Sequence, residues 1–557
     1  MKETIEKAIN DALATFEITN VAFTVEHPAD ISHGDYASNV ALVVAKQLGK
    51  NPRVFAEEIV SRLEGFETSV AGPGFINFSI PRDFFAQKIT QSTQQADRWG
   101  ASQVLAGKTY LVEYTDPNPF KEFHIGHLFT NSVGESLSRL VAFAGADTKR
   151  LCYQGDIGMH VANAVWGMQQ MGLTPESDFT ARDLGKAYAT GATAYKEDAV
   201  AQTAIKALNK KIYERTDEAV NALYDKGREV SLAYFEAIYK IVGTKFDAYF
   251  FESEAGPKGK DLVLDNPQVF SDSDGAKVFL GEDYGLHTRV FLNSEGLPTY
   301  EAKELALSKM KEDRLGVYDH SIISTANEIT EYFKVLKKAM SFIYPDLAAK
   351  TEHIGHGTVR LTTGKMSSRT GDVIAAIDFI DEITDIALAR IAQASPDLAT
   401  DRRLAQQIAL GAIKYVTLKG NILQDTVFDK EAALSFEGAS GPYLQYTHAR
   451  ICSVLKKAAA VGVVPAQTVL PETPYVIERM LYRFEEVTQE AVEDRAPHKV
   501  TQYLTDLAGA FNTFYAQEKI ADPTDVHAPY KALIAQSVAQ TLKNGLWLLG
   551  IEAPERM

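Results

Sequence analysis

The stretch TYLVEYTDPNPFKEFHIGHLFTNSVGESLSRLVAFAGA, residues 109–146, decides the fold of the central part of the chain. Residues 109–115 are mostly β-branched, aromatic or apolar and predict a buried strand. A loop with two prolines follows, and from His124 onward the apolar residues recur at helical spacing until Gly145 ends the pattern. We therefore predict a strand, a loop and a helix that together open an α/β domain.

Two histidines begin the predicted helix. His124 and His127 lie one helical turn apart, and the free backbone amides and positive dipole end of a helix N-terminus attract phosphate. Both imidazoles are therefore candidates for contacts with a triphosphate, and Gly126 leaves room for an adenine ring beside the backbone. The alternative is that the pair only fills a partly buried helix face, and the tetrapeptide HIGH alone does not decide between the two.

The tetrapeptide HIGH occurs a second time, at residues 353–356. No long helix is predicted after this copy, because the TVRLTT that follows Gly357 has strand character. We interpret His353 and His356 as structural, and we expect His124 and His127 to form the functional pair.

The segment GKMSSRTG, residues 364–371, is a second candidate phosphate-binding element. A lysine on a Gly-flanked loop, here Lys365, is able to close over the β- and γ-phosphates of a nucleotide and stabilise the leaving group. The hydroxyls of Ser367 and Ser368 are possible hydrogen-bond donors to the same phosphates. A solvated basic turn is the commoner explanation of such a segment alone, so the prediction depends on its pairing with the first motif.

Composition limits the class of protein. The chain has 557 residues, enough for several domains, and no run that approaches the ~20 apolar residues of a membrane helix. A formal net charge of −16 argues against general attraction to a polyanion, so we expect any nucleic acid to bind local basic patches. Two cysteines, Cys152 and Cys452, are too few for a disulfide framework or a cysteine-rich zinc site. The N-terminus lacks a secretory signal, and we expect a cytoplasmic protein without structural metal.

Shifts in composition predict three domains. Residues 1–85 combine helical patterns with the strand-like GFINFSI in a small α+β module. Residues 100–375 form the central domain, which includes a charged helical insertion at about 180–250. Residues 376–557 have almost continuous helical periodicity and predict an all-α C-terminal domain.

With both motifs in order, the chain resembles the class I aminoacyl-tRNA synthetases. That family carries HIGH in the first half of a Rossmann-like parallel-sheet fold and a KMSKS loop after the second half. Further segments resemble the arginyl branch, including its additional N-terminal domain and its DALR-type helical-bundle anticodon-binding domain, so the resemblance covers nearly the whole chain. These segments are VEYTDPNPFKEFHIGH at 112–127, TYEAKELA at 299–306, GPYLQYTHARICSVLKKA at 441–458, the terminal GLWLLGIEAPERM, and the N-terminal HPADISHGDYASNVAL and GPGFINF.

The resemblance implies an enzyme that uses ATP with Mg²⁺ to activate L-arginine and transfers it to tRNA(Arg), giving arginyl-tRNA, AMP and pyrophosphate. It also implies that Glu113 and Asn118 hold the ammonium end of arginine, whereas Tyr300 and Glu304 meet its guanidinium. A guanidinium is a planar fork of donors that pairs bidentately with carboxylates. The implied ATP-binding residues are His124, Gly126, His127, Lys121, Lys365, Met366 and Ser367.

Two positions depart from the family pattern. Glu304 stands where the family usually has Asp, so its side chain reaches further into the implied pocket. Ser368 stands where the KMSKS signature has its second lysine, which removes one phosphate contact. Lys121, three residues before His124, occupies the position from which arginyl enzymes with such loops compensate, and we assign it to the α-phosphate side.

Four residues are candidates for tRNA contacts. Phe75 and Asn77 match family positions that touch the tRNA elbow, which implies one stacked and one hydrogen-bonded contact. Tyr443 and Tyr446 in the C-terminal domain offer stacking surfaces, although we expect at least one of them to pack inside the domain. The other expected properties are a monomeric state, no membrane association and no structural zinc.

Three other functions compete with this interpretation. A cysteinyl synthetase needs cysteine ligands for a substrate zinc, which two distant cysteines do not supply. A small-molecule nucleotidyltransferase with HIGH would lack the helical C-terminal third and the N-terminal module. A non-catalytic tRNA-binding paralogue stays open as the alternative, although the presence of His124, Gly126, His127 and Lys365 argues against it.

Overall fold

The computed structural model describes residues 1–362 and 374–557. The chain divides into two compact units. One comprises Met1–Ala96, Val454–Arg483 and Ala510–Gln540, and the other comprises Asp97–Ser453, Phe484–Gly509 and Thr541–Met557. Within the described ranges, no helix combines the length and the apolar composition needed to cross a bilayer.

The N-terminal residues form the predicted α+β module. Its elements are α1 (Lys2–Ala14), β1 (Val25–Glu26), β2 (Tyr36–Ser38), α2 (Val40–Leu48), α3 (Pro52–Val60), β3 (Glu67–Ala71), β4 (Phe75–Ser79) and α4 (Arg82–Gln95). The strands make an antiparallel sheet in the order β1–β2–β4–β3. Ile9, Val44 and Phe55 bring one apolar face of each of α1, α2 and α3 into a fully buried core.

Two ion pairs hold Val454–Arg483 to the N-terminal residues within this unit. Arg82 Nη1 lies 2.8 Å from Glu478 Oε2, and Arg479 pairs with Asp35. The Asp35 and Glu478 side chains are fully buried. Because an unpaired buried charge is costly, each of these arginines is expected to contribute to the stability of the unit.

The second unit contains the predicted parallel sheet. Its elements up to the gap in the described residues are β5 (Thr109–Glu113), α5 (Ile125–Phe143), β6 (Asp147–Gln154), α6 (Met159–Gln170), α7 (Ala181–Glu197), α8 (Ala199–Glu214), α9 (Glu218–Val242), β7 (Ala248–Phe251), α10 (Glu252–Leu264), β8 (Ser271–Ser273), β9 (Ala276–Phe279), β10 (Arg289–Leu292), α11 (Tyr300–Leu315), β11 (His320–Ala326), α12 (Thr330–Ile343), α13 (Pro345–Lys350), β12 (Thr351–His356) and β13 (Val359–Leu361). Five parallel strands stand in the order β12–β11–β5–β6–β7. The direction of winding therefore reverses beside β5, and open α/β sheets bind ligands outside the carboxyl ends of the strands at such a reversal.

Three helices, α7 to α9, form the charged insertion between α6 and β7. Polar N-cap residues explain where these helices begin: Thr180 caps α7 in a capping box with Asp183, and Asp217 caps α9. Gly243, at φ 73°, ends α9 in the left-handed conformation that favours glycine. Helices α6 and α7 touch so closely that a Cβ atom at Gly167 would lie 1.9 Å from a backbone oxygen of Ala187.

The C-terminal part is helical, as the periodicity predicts, with one exception. Its elements are α14 (Ala376–Ala394), α15 (Arg402–Leu418), β14 (Thr426–Phe428), α16 (Lys430–Ala433), α17 (Gly441–Ala460), α18 (Val476–Leu481), α19 (Phe484–Glu493), α20 (Pro497–Gln517) and α21 (Ala528–Leu548). The exception is β14, which pairs in parallel with β13. A strand of three residues is too short to produce a period that sequence patterns detect.

Candidate active site

The turn that follows β5 has an unusual backbone. Thr115, Asp116 and Phe120 have φ angles of 82°, 44° and 68°. Residues other than glycine rarely adopt positive φ, and for a β-branched residue such as Thr115 the conformation is strained. The chain therefore leaves the carboxyl end of β5 through a strained segment that its surroundings must hold in place.

His124 and His127 cap α5 reciprocally. The backbone amide of His127 donates to His124 Nδ1 at 3.4 Å, and the amide of His124 donates to His127 Nδ1 at 3.3 Å. The rings stack with centroids 3.7 Å apart. A Cβ atom on Gly126 would lie 2.9 Å from the His124 ring, so glycine at this position lets the ring fold over the helix end.

Both histidines are neutral at physiological pH. Burial, assisted by the charge of Lys121, lowers the pKa of His124 to about 4, and burial followed by the charge of His124 puts the pKa of His127 well below its ordinary value. Because Nδ1 of each ring accepts a hydrogen bond, the proton of each neutral imidazole resides on Nε2. Each ring thus has Nε2–H available as a donor.

Lys121 is the cation of this part of the site. Its Nζ lies 4.5 Å from the centroid of the Tyr188 ring. Its charge also contributes to the lowered pKa of His160, which burial lowers to about 3. His160 Nε2 is hydrogen-bonded to Gly155 O at 2.7 Å, and a Cβ atom on Gly155 would lie 2.3 Å from Asn118 Oδ1. The GDIG turn at 155–158 therefore packs directly against the loop that carries Asn118.

The chain that follows the second motif is tied to α5. Ile125 N donates to Ile374 O at 3.2 Å, Ala376 N donates to Phe123 O at 2.8 Å, and Ala375 bridges with His124. Residues 363–373, which include Lys365, Met366 and Ser367, lie outside the described residues. Their predicted role in binding phosphate stays a prediction, but the residues directly after them lie beside His124.

The second HIGH copy forms the end of β12. His353 stacks on Phe333 with ring centroids 3.9 Å apart, and its Nε2 is hydrogen-bonded to Thr325 Oγ1 at 2.8 Å. His356 Nε2 is hydrogen-bonded to Thr130 Oγ1 on α5 at 3.0 Å. These contacts support the interpretation of the second pair as structural, since both rings have protein partners.

Carboxyl groups converge beyond the end of β5. Glu113 Oε2 lies 2.8 Å from Lys311 Nζ, and both side chains are almost completely buried. Burial and then the charge of Glu113 raise the pKa of Glu304 to about 8, and the same two causes raise the pKa of Asp116 well above its ordinary value. Burial alone would lower the pKa of Lys311, but Glu113 and Glu304 raise it. The pocket thus has more acidic groups than cations.

Several polar atoms around Glu304 have no hydrogen-bond partner within the described residues: Glu304 Oε1, Tyr153 OH and Tyr332 OH. Glu304 itself is 1% exposed. Tyr300 lies next to them, with its ring centroid 5.0 Å from that of Tyr332. Buried polar groups are normally paired, so a group of unpaired ones marks a place for a polar ligand.

Three family models match the chain. They are "Arginyl tRNA synthetase N terminal domain" over residues 1–80, "tRNA synthetases class I (R), catalytic domain" over residues 88–430, and "DALR anticodon binding domain" over residues 444–557. The catalytic-domain match alone spans more than half of the chain. The chain belongs to the class I arginyl-tRNA synthetase family. The domain boundaries predicted at 85, 100 and 375 stay predictions.

Full-length relatives agree with this membership. Arginine–tRNA ligase from Clostridium perfringens is 28% identical over 552 residues and 97% of each chain, and that from Clostridium acetobutylicum is 28% identical over 100% of each. The solved arginyl-tRNA synthetase of Thermus thermophilus is 26% identical, with a TM-score of 0.81 over 100% of both chains. The Plasmodium falciparum arginyl-tRNA synthetase has the same fold, with a TM-score of 0.81 at 21% identity. None of these comparisons supports the non-catalytic alternative.

Sequence reasoning missed four residues of the pocket around Glu304: Asp116, Tyr153, Lys311 and Tyr332. Asp116 lies inside the first motif but was not singled out there. Lys311 follows Glu304 by seven residues, which places both on one face of α11, and helical spacing was a usable signal. Nothing in the sequence indicated Tyr153 or Tyr332, which other strands and helices bring to the pocket.

The four predicted tRNA-binding residues differ in exposure. Phe75 and Asn77 lie two residues apart on β4, hence on the same face of the sheet, and are 37% and 6% exposed. On α17, Tyr443 is half-buried, whereas Tyr446 is 41% exposed and its ring centroid lies 6.2 Å from that of Phe436. Their part in tRNA binding stays a prediction.

Proposed function

We propose that this chain activates arginine with ATP and transfers it to tRNA, and that the pocket around Glu304 binds the guanidinium group. The buried Oε1 atom of Glu304, without a partner in the described parts of the chain, is the observation that carries this assignment. A buried acceptor left unpaired costs about 1–3 kcal/mol, so the pocket favours a ligand rich in donors. A guanidinium supplies five N–H hydrogen-bond donors in one plane.

The charges around the pocket support a cationic substrate. Lys311 offsets the charge of Glu113, which leaves Glu304 and Asp116 as carboxyl groups without a matched cation. Binding of arginine would supply that cation. We assign the guanidinium to Glu304 and Tyr300.

We assign the ammonium end of arginine to Glu113 and Asn118. Glu113 ends β5 at the carboxyl edge of the sheet, where ligands of such folds bind, and Asn118 lies against Gly155 in the following loop. Because Glu113 already pairs with Lys311, it would hold the ammonium as part of a three-charge group.

We assign ATP to the N-terminal end of α5. His124 and His127 would donate through Nε2–H to phosphate oxygens, beside the free amides of the helix. Lys121 would neutralise charge at the α-phosphate, and we include Lys365, Met366 and Ser367 in the same role on the strength of the family motif alone. Neutral imidazoles suit this position, because they donate hydrogen bonds without the electrostatic repulsion that two further cations would have with Lys121.

The reaction needs no protein nucleophile. A carboxylate oxygen of arginine attacks the α-phosphorus of ATP, the bond to the β-phosphate oxygen breaks, and pyrophosphate leaves with the electron pair. A terminal ribose hydroxyl of tRNA then attacks the arginyl carbonyl, and AMP leaves. The contribution of the protein is alignment of the two reactants and stabilisation of charge.

Mg²⁺ fits this site as a companion of ATP. The described residues contain no group of three His, Cys, Asp or Glu side chains arranged to hold a metal ion, and the groups at the end of α5 are donors suited to phosphate oxygens. The phosphates would therefore hold the ion, which often takes only one or two protein carboxylates. When bound, it neutralises charge on the pyrophosphate leaving group.

We propose tRNA contacts on two surfaces. Phe75, more than a third exposed at the start of β4, would stack on a base, and Asn77 on the same strand face would donate a hydrogen bond. Tyr446 is the better stacking candidate on α17, because Tyr443 is half-buried. The domain matches support this division between an N-terminal domain and an anticodon-binding domain.

We also propose a monomer in the cytoplasm. The low cysteine content supports a reducing compartment, with Cys152 buried and unoxidised. Sedimentation equilibrium at micromolar concentration tests the monomer, and a mass of twice 61.2 kDa would contradict it.

ATP–pyrophosphate exchange with each of the twenty amino acids, with and without total tRNA, tests the function. We expect exchange with arginine only, and only when tRNA is present, as the family resemblance implies. Lys121→Ala should lower the maximal exchange rate at least tenfold with little change in KM for arginine, whereas Lys186→Ala, a largely exposed lysine paired with Asp183, should not. Absence of arginine-dependent exchange under every condition would refute the proposal.

A further inference from the structure

Two side chains of α5 outside the HIGH motif reach the strained turn after β5. Asn131 Nδ2 donates to Thr115 Oγ1 at 3.0 Å, and Tyr114 OH donates to Glu135 Oε2 at 2.5 Å. All four side chains are buried. Because Asn131 and Glu135 are four residues apart, they lie on one face of α5 and hold two consecutive residues of the turn.

The same two side chains are linked to the C-terminal end of α9, Asn131 directly and Glu135 through Arg139. Thr244 Oγ1, just after that helix, donates to Asn131 Oδ1 at 3.1 Å. Arg139 Nε donates to Glu135 Oε1 at 2.7 Å, and Arg139 Nη2 donates to Gly243 O at 3.3 Å. Each side chain therefore connects the turn on one side of α5 with the insertion on the other.

The C-terminal end of α21 belongs to the same hydrogen-bonded group. Arg139 Nη1 donates to Trp547 O at 2.8 Å, and Ser136 Oγ donates to Leu548 O at 2.9 Å. Lys414 Nζ connects the ends of α9 and α21, because it donates to Val242 O at 2.7 Å and to Gly550 O at 2.5 Å. Cations at helix C-termini are favourable because carbonyl groups there lack helical partners.

We propose that Asn131 and Glu135 are positioning residues for arginine activation. They hold the turn 114–116, and with it Glu113 and Asp116, in the geometry that binds arginine, and they make that geometry depend on the ends of α9 and α21. The inference rests on the arginine site proposed above and adds the residues that keep it in shape. Without them, Thr115 would relax from its φ of 82° toward the conformations that β-branched residues prefer.

Asn131→Leu tests the inference, because leucine keeps the number and branching of the side-chain heavy atoms and removes both hydrogen bonds. In tRNA-dependent exchange we expect KM for arginine to rise about tenfold, with KM for ATP changed less than about twofold. Adding Thr115→Gly should bring KM for arginine back to within about threefold of wild type, because glycine adopts positive φ without strain. Ser132→Ala is the matched control: Ser132 is buried on α5 but bonds only to Leu128 O within the helix.

The second variant is Thr115→Val, which keeps the shape and the backbone strain and removes the hydroxyl that Asn131 holds. It should raise KM for arginine as Asn131→Leu does. If circular dichroism shows that Asn131→Leu does not fold, Thr115→Val tests the inference in its place. The inference is overturned if KM for arginine stays within twofold of wild type in the folded variant, or if Thr115→Gly restores nothing. Wild-type protein without arginine-dependent exchange would instead overturn the proposed function, so the two failures are distinguishable.

Discussion

Arginine binding should require the loss of a proton from Glu304. At pH 7 a carboxyl with a pKa of about 8 carries a proton in about nine of ten molecules, and burial followed by the charge of Glu113 places Glu304 there. A guanidinium pairs with the carboxylate, so arginine must displace the proton. We therefore expect KM for arginine to fall about tenfold per unit as pH rises from about 6.5 toward 8, and to level off above that.

Glu304→Gln removes this titration while it preserves the shape of the side chain. Loss of a charge-assisted hydrogen bond costs about 1.5–3 kcal/mol, so KM for arginine should be about 10- to 150-fold higher than wild type at pH 8.5. At pH 6.5 the wild-type carboxyl is itself mostly protonated. The ratio of the variant KM to the wild-type KM should therefore be about twentyfold smaller at pH 6.5 than at pH 8.5. The ratio of the variant KM to the wild-type KM reports the titration of Glu304 alone, because Asp116 and the ammonium group of arginine are present in both measurements and cancel.

The assay is tRNA-dependent ATP–pyrophosphate exchange at varied arginine, in half-unit steps of pH, with KM for ATP as the internal control. A KM ratio that is constant across the pH range would refute the reasoning, as would a wild-type KM for arginine that does not change between pH 6.5 and 8.

The raised pKa of Glu304 also affects the stability of the fold. The folded state keeps a proton that the unfolded state loses between about pH 4.5 and 8, so this group lowers the free energy of unfolding as pH rises through that window.

Three further substitutions test other parts of the chain. Tyr446→Ala should raise KM for tRNA about tenfold through loss of a stacked base, with KM for arginine unchanged in exchange at saturating tRNA. Gly167→Ala should lower the free energy of unfolding by about 1–3 kcal/mol, because its Cβ atom would lie 1.9 Å from a backbone oxygen. Gly509→Ala is the control and should leave the free energy of unfolding unchanged, because a Cβ atom there would meet nothing within 4 Å. Arg479→Met should cost about 3–5 kcal/mol by leaving Asp35 buried and unpaired, as urea denaturation would measure.

The strand, loop and helix of 109–146 were predictable because each signal there is local. The residue types of 109–115 indicate the strand, the helical spacing of apolar residues indicates the helix, and Gly145 indicates where the helix ends. The structure has β5 and α5 at these places. The turn between them was not predictable. Nothing in the identity of Thr115 indicates a φ of 82°, because that conformation is imposed by partners on α5.

The proposed arginine pocket could not be predicted in full for the same reason, because its residues come from segments far apart in the sequence. Tyr300 and Glu304 were assigned from a motif in one segment, and the structure brings them together with Tyr332 on the next helix along the chain. The partner of Glu113 is Lys311, almost two hundred residues later, and the two meet because β5 and β11 are neighbours in the sheet. Periodicity likewise marked the C-terminal helices but did not indicate that Val454–Arg483 packs with the N-terminal residues.

In the proposed mechanism, helix α5 contributes to the binding of both ATP and arginine, and the groups that it positions for the two reactants differ in their dependence on pH. Its first turn presents His124 and His127: the pKa of His124 is lowered to about 4 and that of His127 lies well below its ordinary value, so both rings are neutral at pH 7. Its second and third turns hold the turn that follows Glu113 and carries Asp116, whose pKa is raised well above its ordinary value, and the pKa of nearby Glu304 is raised to about 8. We therefore expect the pH dependence of arginine activation near neutrality to originate in the proposed arginine pocket and not in His124 and His127. Because the chemistry consists of aligning a carboxylate with a phosphorus atom, a small rotation of α5 would disturb both partners at once, which explains why so many buried polar groups fix this one helix.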